Sequence, residues 1–440
     1  MSAALHVVPA DALVDQPRHI HAAGLAPGQV RLLAESTYPD GSIWRSQAWF
    51  DVGADGLLDL DTALPVAGDW HTPEPMGVIW SMRQVQPPRL PELSDGIAAR
   101  QIALTVEDSA GQRAQAVLVQ RFLGTGVRRQ EVRESGLSAT LFTPAGDGPH
   151  PLVIVLNGSG GGTPEQRAAL FAAHGYMGLA LAYFKAPGRP AHISGTPLEY
   201  FETALDWAID KLQPHRGFVA VSGLSRGGEL ALLLGATFPA QVSAVIGYVP
   251  SAVVHGTLRA GAPEEPRDAT AWTWRGQALP NVWQANPLAD WHAFDHPPSP
   301  DRPIRQAPAF VAAQAHAPSV AAARIPVERI AGPVLLISGA EDGFWPSQAY
   351  SEQIVATLQA AGHAWPAWHD AHPGAGHAIG LPYVPTTMIA NVHPVAGVPL
   401  DGGGTPQANA RANRLSWAGV LDFLAEARAA HAARPQGCAS

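Results

Sequence analysis

Hydrophobic and polar positions follow two different rhythms along this chain. Up to about residue 123 they alternate in short runs, at 29–38, 43–52, 76–82, 101–106 and 114–122. Turn formers separate the runs: Pro27-Gly28, Asp40-Gly41, Asp55-Gly56 and Ala110-Gly111. A period of two puts every second side chain on one face, so these runs predict strands of an antiparallel sandwich. From Gly124 the rhythm changes. Residues 151–156 (PLVIVL) are apolar throughout, the pattern of a strand buried on both faces. Further strands are predicted at 177–183, 218–222, 243–249, 333–338 and 365–370. Helices are predicted at about 164–174, 197–212, 225–238, 347–361 and 408–430. Strands alternating with helices predict a parallel sheet with helices on both faces.

Between 252 and 325 neither rhythm holds. That stretch is rich in Pro, Ala, Trp and His, and is too long for an ordinary connection. Its aromatic residues, Trp272, Trp274, Trp283, Trp291 and Phe294, predict a packed insertion rather than a disordered one. It is expected either to cap a pocket or to be stapled to the domain body by its tryptophans. The glycine-rich 401–404 reads as a surface turn. The two domains are therefore expected at 1–123 and 124–440, the second carrying the insertion.

Composition narrows the function classes. Of 440 residues, 46% are hydrophobic and 15% charged, which fits a globular chain with a large core. The net charge of −9 and only two lysines, Lys185 and Lys211, argue against nucleic acid or an anionic membrane as partner. No window has the roughly 20 apolar residues of a membrane span. The first residues lack the basic start and apolar core of a signal peptide, so a cytoplasmic protein is expected. The single cysteine, Cys438, excludes an intrachain disulfide.

The chemistry is concentrated at Gly223-Leu224-Ser225-Arg226-Gly227, a G-x-S-x-G between a predicted buried strand and a predicted helix. That context defines a nucleophile elbow of the α/β-hydrolase fold, with the Ser225 hydroxyl raised at the carboxyl edge of the sheet. A hydroxyl needs a base, and in this fold the order is serine, acid, histidine. The acid should follow the 333–338 strand, where Glu341 and Asp342 stand. Asp342 is preferred, because a short turn places it at the loop tip. The base should follow the 365–370 strand, where Gly374-Ala375-Gly376-His377 stands. His377 is preferred, and His372 is its rival. His363, His369 and His372 also invite a metal reading, but their spacing is not that of a helical ligand pair. No cofactor is expected. The oxyanion should be received by the N–H of Arg226 and by one from the glycine-rich 157–162 loop, at Ser159 or Gly160. A phosphate cradle is the rival reading of that loop, but it lacks the motif of a nucleotide site.

These motifs resemble those of the acyl-CoA thioesterase and bile acid-CoA:amino acid N-acyltransferase family. The resemblance runs through 13–17 (LVDQP), 24–28 (GLAPG), 45–48 (RSQA), 75–81 (PMGVIWS), 157–162 and 198–201 (LEYF). It continues through 223–230 (GLSRGGEL), 325–329 (IPVER), 373–377 and 382–385 (PYVP). It implies an immunoglobulin-like β-sandwich followed by an α/β-hydrolase domain. It also implies an acyl thioester substrate, with nucleophile, acid and base at Ser225, Asp342 and His377. Amino-acid-conjugating members carry cysteine at the nucleophile; serine here favours hydrolysis. A non-CoA ester, lactone or amide as substrate, transfer to an amine or alcohol, and a non-catalytic binding protein are the alternatives. Arg128, Arg129 and Arg133 are candidates for CoA phosphates, with a solvated charged strand the simpler reading. The sandwich shows no catalytic set, and His19 and His21 read as structural. Its expected role is to cover the active site or to form the contact of a homodimer.

Overall fold

A computed structural model describes residues 2–89, 96–299 and 301–433, and Cys438 lies outside them. The chain divides into two units. The first comprises residues 1–124 with two returning segments, 380–388 and 405–414; the second comprises 125–379, 389–404 and 415–440. The sequence reading had no signal for the returning segments, which form no strand of their own. They are tied in by hydrogen bonds: the Tyr383 carbonyl accepts from Gln120 Nε2 at 2.8 Å, and Thr386 N donates to the Trp80 carbonyl at 3.0 Å.

The first unit is a β-sandwich. Strands Gly28–Thr37 and Ile43–Val52 pair antiparallel at the centre of a seven-stranded sheet. Alternate residues Val30, Leu32 and Ala34 face Ala48, Phe50 and Val52 across a shared buried face. A three-stranded sheet, Ala4–Val8, His19–Ala23 and Leu58–Asp59, closes the same core with Leu5, Val7, Ile20 and Ala22. The expected strand at 76–82 is instead a single helical turn, Gly77–Trp80, buried on every side. An apolar run that short reads alike in either state. Packing decides it: a Cβ at Gly77 would lie 2.6 Å from the Trp70 ring, so the turn is seated directly on that indole.

The second unit is built on an eight-stranded sheet: β1 Arg128–Val132, β2 Ala139–Thr143, β3 Leu152–Leu156, β4 Met177–Leu181, β5 Val219–Leu224, β6 Ala244–Tyr248, β7 Val334–Gly339 and β8 Ala367–His372. Their spatial order is 1-2-4-3-5-6-7-8. The first two strands run antiparallel, and every pairing from β4 to β8 is parallel. Strands β3, β4, β6 and β7 are buried at every residue, as an all-apolar strand between two helical layers must be. The doubly covered α/β-hydrolase architecture fixes where the chemistry falls. The carboxyl ends of the neighbours β3 and β5, and of the neighbours β7 and β8 beyond β6, lie on one edge of the sheet because these strands run parallel, so their loops open on the same side. Among the described residues no helix is long and apolar enough to cross a membrane.

The insertion between β6 and β7 holds three short helices, Trp291–Asp295, Ala307–Gln314 and Ala317–Ala323, and the strands Trp272–Trp274 and Gln277–Ala278. Trp272 and Trp283 are fully buried: the Trp272 indole N–H donates to Glu229 of the domain body at 2.8 Å, and that of Trp283 to His255 within the insertion at 2.9 Å.

Candidate active site

Strand β5 runs straight into Ser225, which holds φ 58° and ψ −119° ahead of the helix Arg226–Thr237. This is a sparsely populated backbone region for a residue with a Cβ. The surroundings impose it. Ser225 N donates to the Tyr248 carbonyl at 2.8 Å, while its own carbonyl accepts from Gly228 N and Glu229 N at 2.7 and 3.0 Å. The flanking glycines permit the bend: a Cβ at Gly223 would stand 1.8 Å from the Gly227 carbonyl oxygen, and one at Gly227 2.4 Å from that of Asn157. A serine at a helix start ordinarily caps it with its hydroxyl oxygen. Ser225 does not, so the hydroxyl is left uncommitted to the helix.

Asp342 and His377 come from the loops after β7 and β8. His377 Nδ1 lies 3.0 and 2.9 Å from the two Asp342 carboxylate oxygens. The carboxylate also accepts from Phe344 N at 2.9 Å and Trp345 N at 3.3 Å, and both side chains are more than nine-tenths buried. An acceptor held on Nδ1 fixes the proton there and leaves Nε2 as the basic atom. The imidazole stacks on Phe344 at 4.4 Å between centroids and meets Trp345 edge-on at 5.8 Å. Among the described residues no hydrogen bond joins His377 to the Ser225 hydroxyl. Ser225, Phe344 and Trp345 line one cavity, partly open to solvent. Glu341, the other candidate acid, is exposed and faces Arg305 at 3.9 Å. His372 ends β8 in register with Gly339 and so sits within the sheet. His363 bonds the Gly332 carbonyl and His369 bonds Ser338. Arg129 and Arg133, considered for CoA phosphates, pair with Glu165 and Glu131.

A second expectation is overturned. Residues 401–404 are not a surface turn: Gly402 and Gly403 are buried between the acid and base loops. The Gly402 carbonyl accepts from Gly343 N at 2.9 Å and from His377 N at 2.8 Å, while Gly403 bridges Asp342 and Gly404 bridges Ala375. Only bare backbone fits, since a Cβ at Gly403 would lie 1.9 Å from the Glu341 carbonyl oxygen. The segment is a backbone wedge that sets the distance between the two loops.

The glycine-rich loop after β3 is ordered by its first residue. Asn157 Nδ2 donates to the Gly161 carbonyl at 2.6 Å, and its Oδ1 accepts from Gly158 N at 3.0 Å. Gly161 N and Gly162 N donate to the Gly158 and Phe184 carbonyls. The N–H groups of Ser159 and Gly160 take no such partner among the described residues. Gly158 packs on the elbow, where a Cβ would stand 3.2 Å from Ser225 Cβ.

Two further features carry no signal in the sequence. Arg226 is buried, its guanidinium bonding Glu229 at 2.9 Å and the carbonyls of His255 and Gly256 at 3.1 and 2.8 Å. The residue after Ser225 thus anchors the start of the insertion. Burial and the nearby Arg226 charge push His255 well below its ordinary range. His393 lines the cavity and lies 3.0 Å from Ser159 Oγ. Burial, then the charges of Arg259, Lys185 and Arg226, push its pKa down to about 4.

Known proteins match this chain along most of its length. Residues 15–134 match the acyl-CoA thioester hydrolase/BAAT N-terminal region, and 196–264 with 306–430 match the BAAT/acyl-CoA thioester hydrolase C-terminal region. The gap between the two C-terminal segments, 265–305, falls in the insertion, and 135–195, with the glycine-rich loop, lies between the two matched regions. Acyl-coenzyme A thioesterase 6 of Mus musculus is 33% identical over 446 residues, covering 96% of each chain. The peroxisomal succinyl-coenzyme A thioesterase of Mus musculus is 30% identical, again over 96% of each. Among solved structures, the thermostable carboxylesterase EstE1 from a metagenomic library is 15% identical with a TM-score of 0.37, covering 67% of this chain and 87% of its own. At 33% identity over 96% of its length, this chain belongs to the acyl-CoA thioester hydrolase/BAAT family.

Proposed function

We propose that this protein hydrolyses acyl-CoA thioesters through an acyl-serine intermediate. The observation that carries the reading is Ser225, strained at the bend of β5 and opening on a cavity whose Phe344 and Trp345 rings hold the Asp342-bonded His377. Ser225 Oγ attacks the thioester carbonyl while His377 Nε2 accepts its proton. Asp342 holds the ring in the required tautomer and stabilises the imidazolium. The carbonyl oxygen becomes an oxyanion, received by the N–H of Arg226 and by that of Ser159 or Gly160. Collapse of the tetrahedral intermediate breaks the C–S bond. The thiolate, with a free-thiol pKa near ~8.5, takes the His377 proton as it departs. Water, deprotonated by His377, then attacks the acyl-serine; the acyl C–Oγ bond breaks, His377 returns the proton to Ser225 Oγ, and the carboxylic acid is released. Catalytic hydrogen bonds of this kind commonly close only when substrate binds.

Release of CoA from acyl-CoA, followed with a chromogenic thiol reagent, tests the reading. Ser225→Ala should lower kcat by roughly 10⁴-fold or more. A fluorophosphonate should label the wild type and not the variant. Turnover by Ser225→Ala near the wild-type rate would refute the assignment. Simple aryl esters in parallel test the non-CoA alternative, and added glycine or taurine tests acyl transfer.

A further inference from the structure

His393 has a defined tautomer. Its Nδ1 is approached by two backbone donors, Val395 N at 3.3 Å and Ala396 N at 3.1 Å. A nitrogen that accepts from two N–H groups carries no proton, so in the neutral ring the hydrogen sits on Nε2. That nitrogen lies 3.0 Å from Ser159 Oγ, so His393 donates and Ser159 accepts. The ring is 6% exposed and, with its pKa near 4, stays neutral over the physiological range. The turn that bears it is held on both sides. Lys185 Nζ donates to the Pro394 carbonyl at 3.1 Å, and a Cβ at Gly160 would stand 3.2 Å from Pro394 Cγ.

This arrangement occupies a lone pair of Ser159 and leaves its hydroxyl hydrogen uncommitted among the described residues. Ser159 and Ser225 line the same cavity, and the intervening contact is the close approach of Gly158 to the elbow. A hydroxyl that has already accepted a bond is the stronger donor. We propose that the Ser159 hydroxyl donates to the oxyanion formed at Ser225, with His393 the positioning residue that aims it. The inference rests on Ser225 being the nucleophile. It adds a side-chain donor to the backbone N–H groups and gives the buried imidazole a role outside proton transfer. The simpler alternative is that the His393–Ser159 bond only fastens the 393–396 turn to the glycine-rich loop.

Ser159→Ala separates the two, because it removes the hydroxyl and keeps the residue 159 N–H. Removing one oxyanion donor should lower kcat by about 10²-fold or more with KM within about two-fold. A trifluoromethyl ketone analogue of the acyl-CoA, which adds Ser225 to give a stable oxyanion, should weaken by the same factor. Inhibition by free CoA should not change. Ser159→Thr, which keeps a hydroxyl, should recover most of kcat. His393→Ala should lose at least ten-fold in kcat, and the double variant should be no worse than Ser159→Ala, as for two residues acting through one bond. Thermal midpoints report folding; should Ser159→Ala not fold, the His393→Ala and Ser159→Thr pair decides. A kcat for folded Ser159→Ala within three-fold of wild type would overturn the inference, as would equal weakening of the ketone and CoA. Activity surviving in Ser225→Ala would instead overturn the nucleophile assignment, whatever the Ser159 variants show.

Discussion

Gly403→Ala tests whether backbone packing sets the spacing between the acid and base loops. Gly403 adopts φ +76°, and a Cβ there would stand 1.9 Å from the Glu341 carbonyl oxygen and 2.9 Å from Gly343 N. Real Cβ contacts stay beyond 3.0 Å, so the Glu341 carbonyl must retreat by about 1.1 Å, the difference of those two distances. Glu341 immediately precedes Asp342, whose carboxylate holds His377. A displacement of ~1 Å in a positioned catalytic group is worth about 10²-fold in rate. The left-handed alanine costs roughly 1–2 kcal/mol and the overpacking roughly 1–3, so stability should fall by about 2–5 kcal/mol. Gly362→Ala is the matched control: φ is +65° and nothing lies within 4 Å of its Cβ position. It carries the backbone cost alone and should hydrolyse substrate at the wild-type rate. Urea unfolding followed by tryptophan fluorescence, with kcat/KM measured on the same preparations, reads both quantities. Wild-type kcat/KM in Gly403→Ala, or equal losses of activity in the two variants, would refute the wedge.

Three shorter predictions accompany it. Asp342→Asn leaves an amide that cannot serve His377 and the Phe344 and Trp345 N–H groups as the carboxylate does, so kcat should fall by about 10³–10⁴-fold at similar KM. Glu229→Gln strips the buried Arg226 of its counter-charge and should cost roughly 3–5 kcal/mol in a urea titration. Acid should destabilise the fold through His393. The native ring titrates at about 4 and the unfolded one near ~6.5, so between those values only the unfolded chain takes up the proton. This contribution is fully present above pH ~6.5 and is lost as pH falls toward 4, by up to roughly 3 kcal/mol. Urea midpoints at pH 7 and 4.5 should therefore converge more closely in His393→Phe than in wild type. An identical acid dependence in the two proteins would remove His393 as its source.

The difference between what the residues announced and what they concealed is one of locality. The elbow was legible because its constraint acts within five residues: Gly223 and Gly227 are demanded by each other and by the loop after β3. The positions of Asp342 and His377 were legible because adjacent parallel strands must end in adjacent loops. The helical turn at 77–80 was not, since four apolar residues buried on Trp70 present no period. His393 was not, because its partner is 234 residues away and its tautomer is set by backbone N–H groups. The 401–404 wedge failed for a third reason. A run of glycines is compositionally the same whether it is exposed for want of contacts or buried for want of space. The distinction lies in what stands opposite. Here the facing loops carry glycine too: a Cβ at Gly376 would lie 2.1 Å from the Gly403 carbonyl oxygen, one at Gly339 2.2 Å from that of Gly376, and one at Gly343 2.3 Å from that of Asp401. Glycines placed in three loops that meet are the trace of main chains pressed together. Around a predicted triad, such glycines argue for burial even where the local pattern reads as a turn.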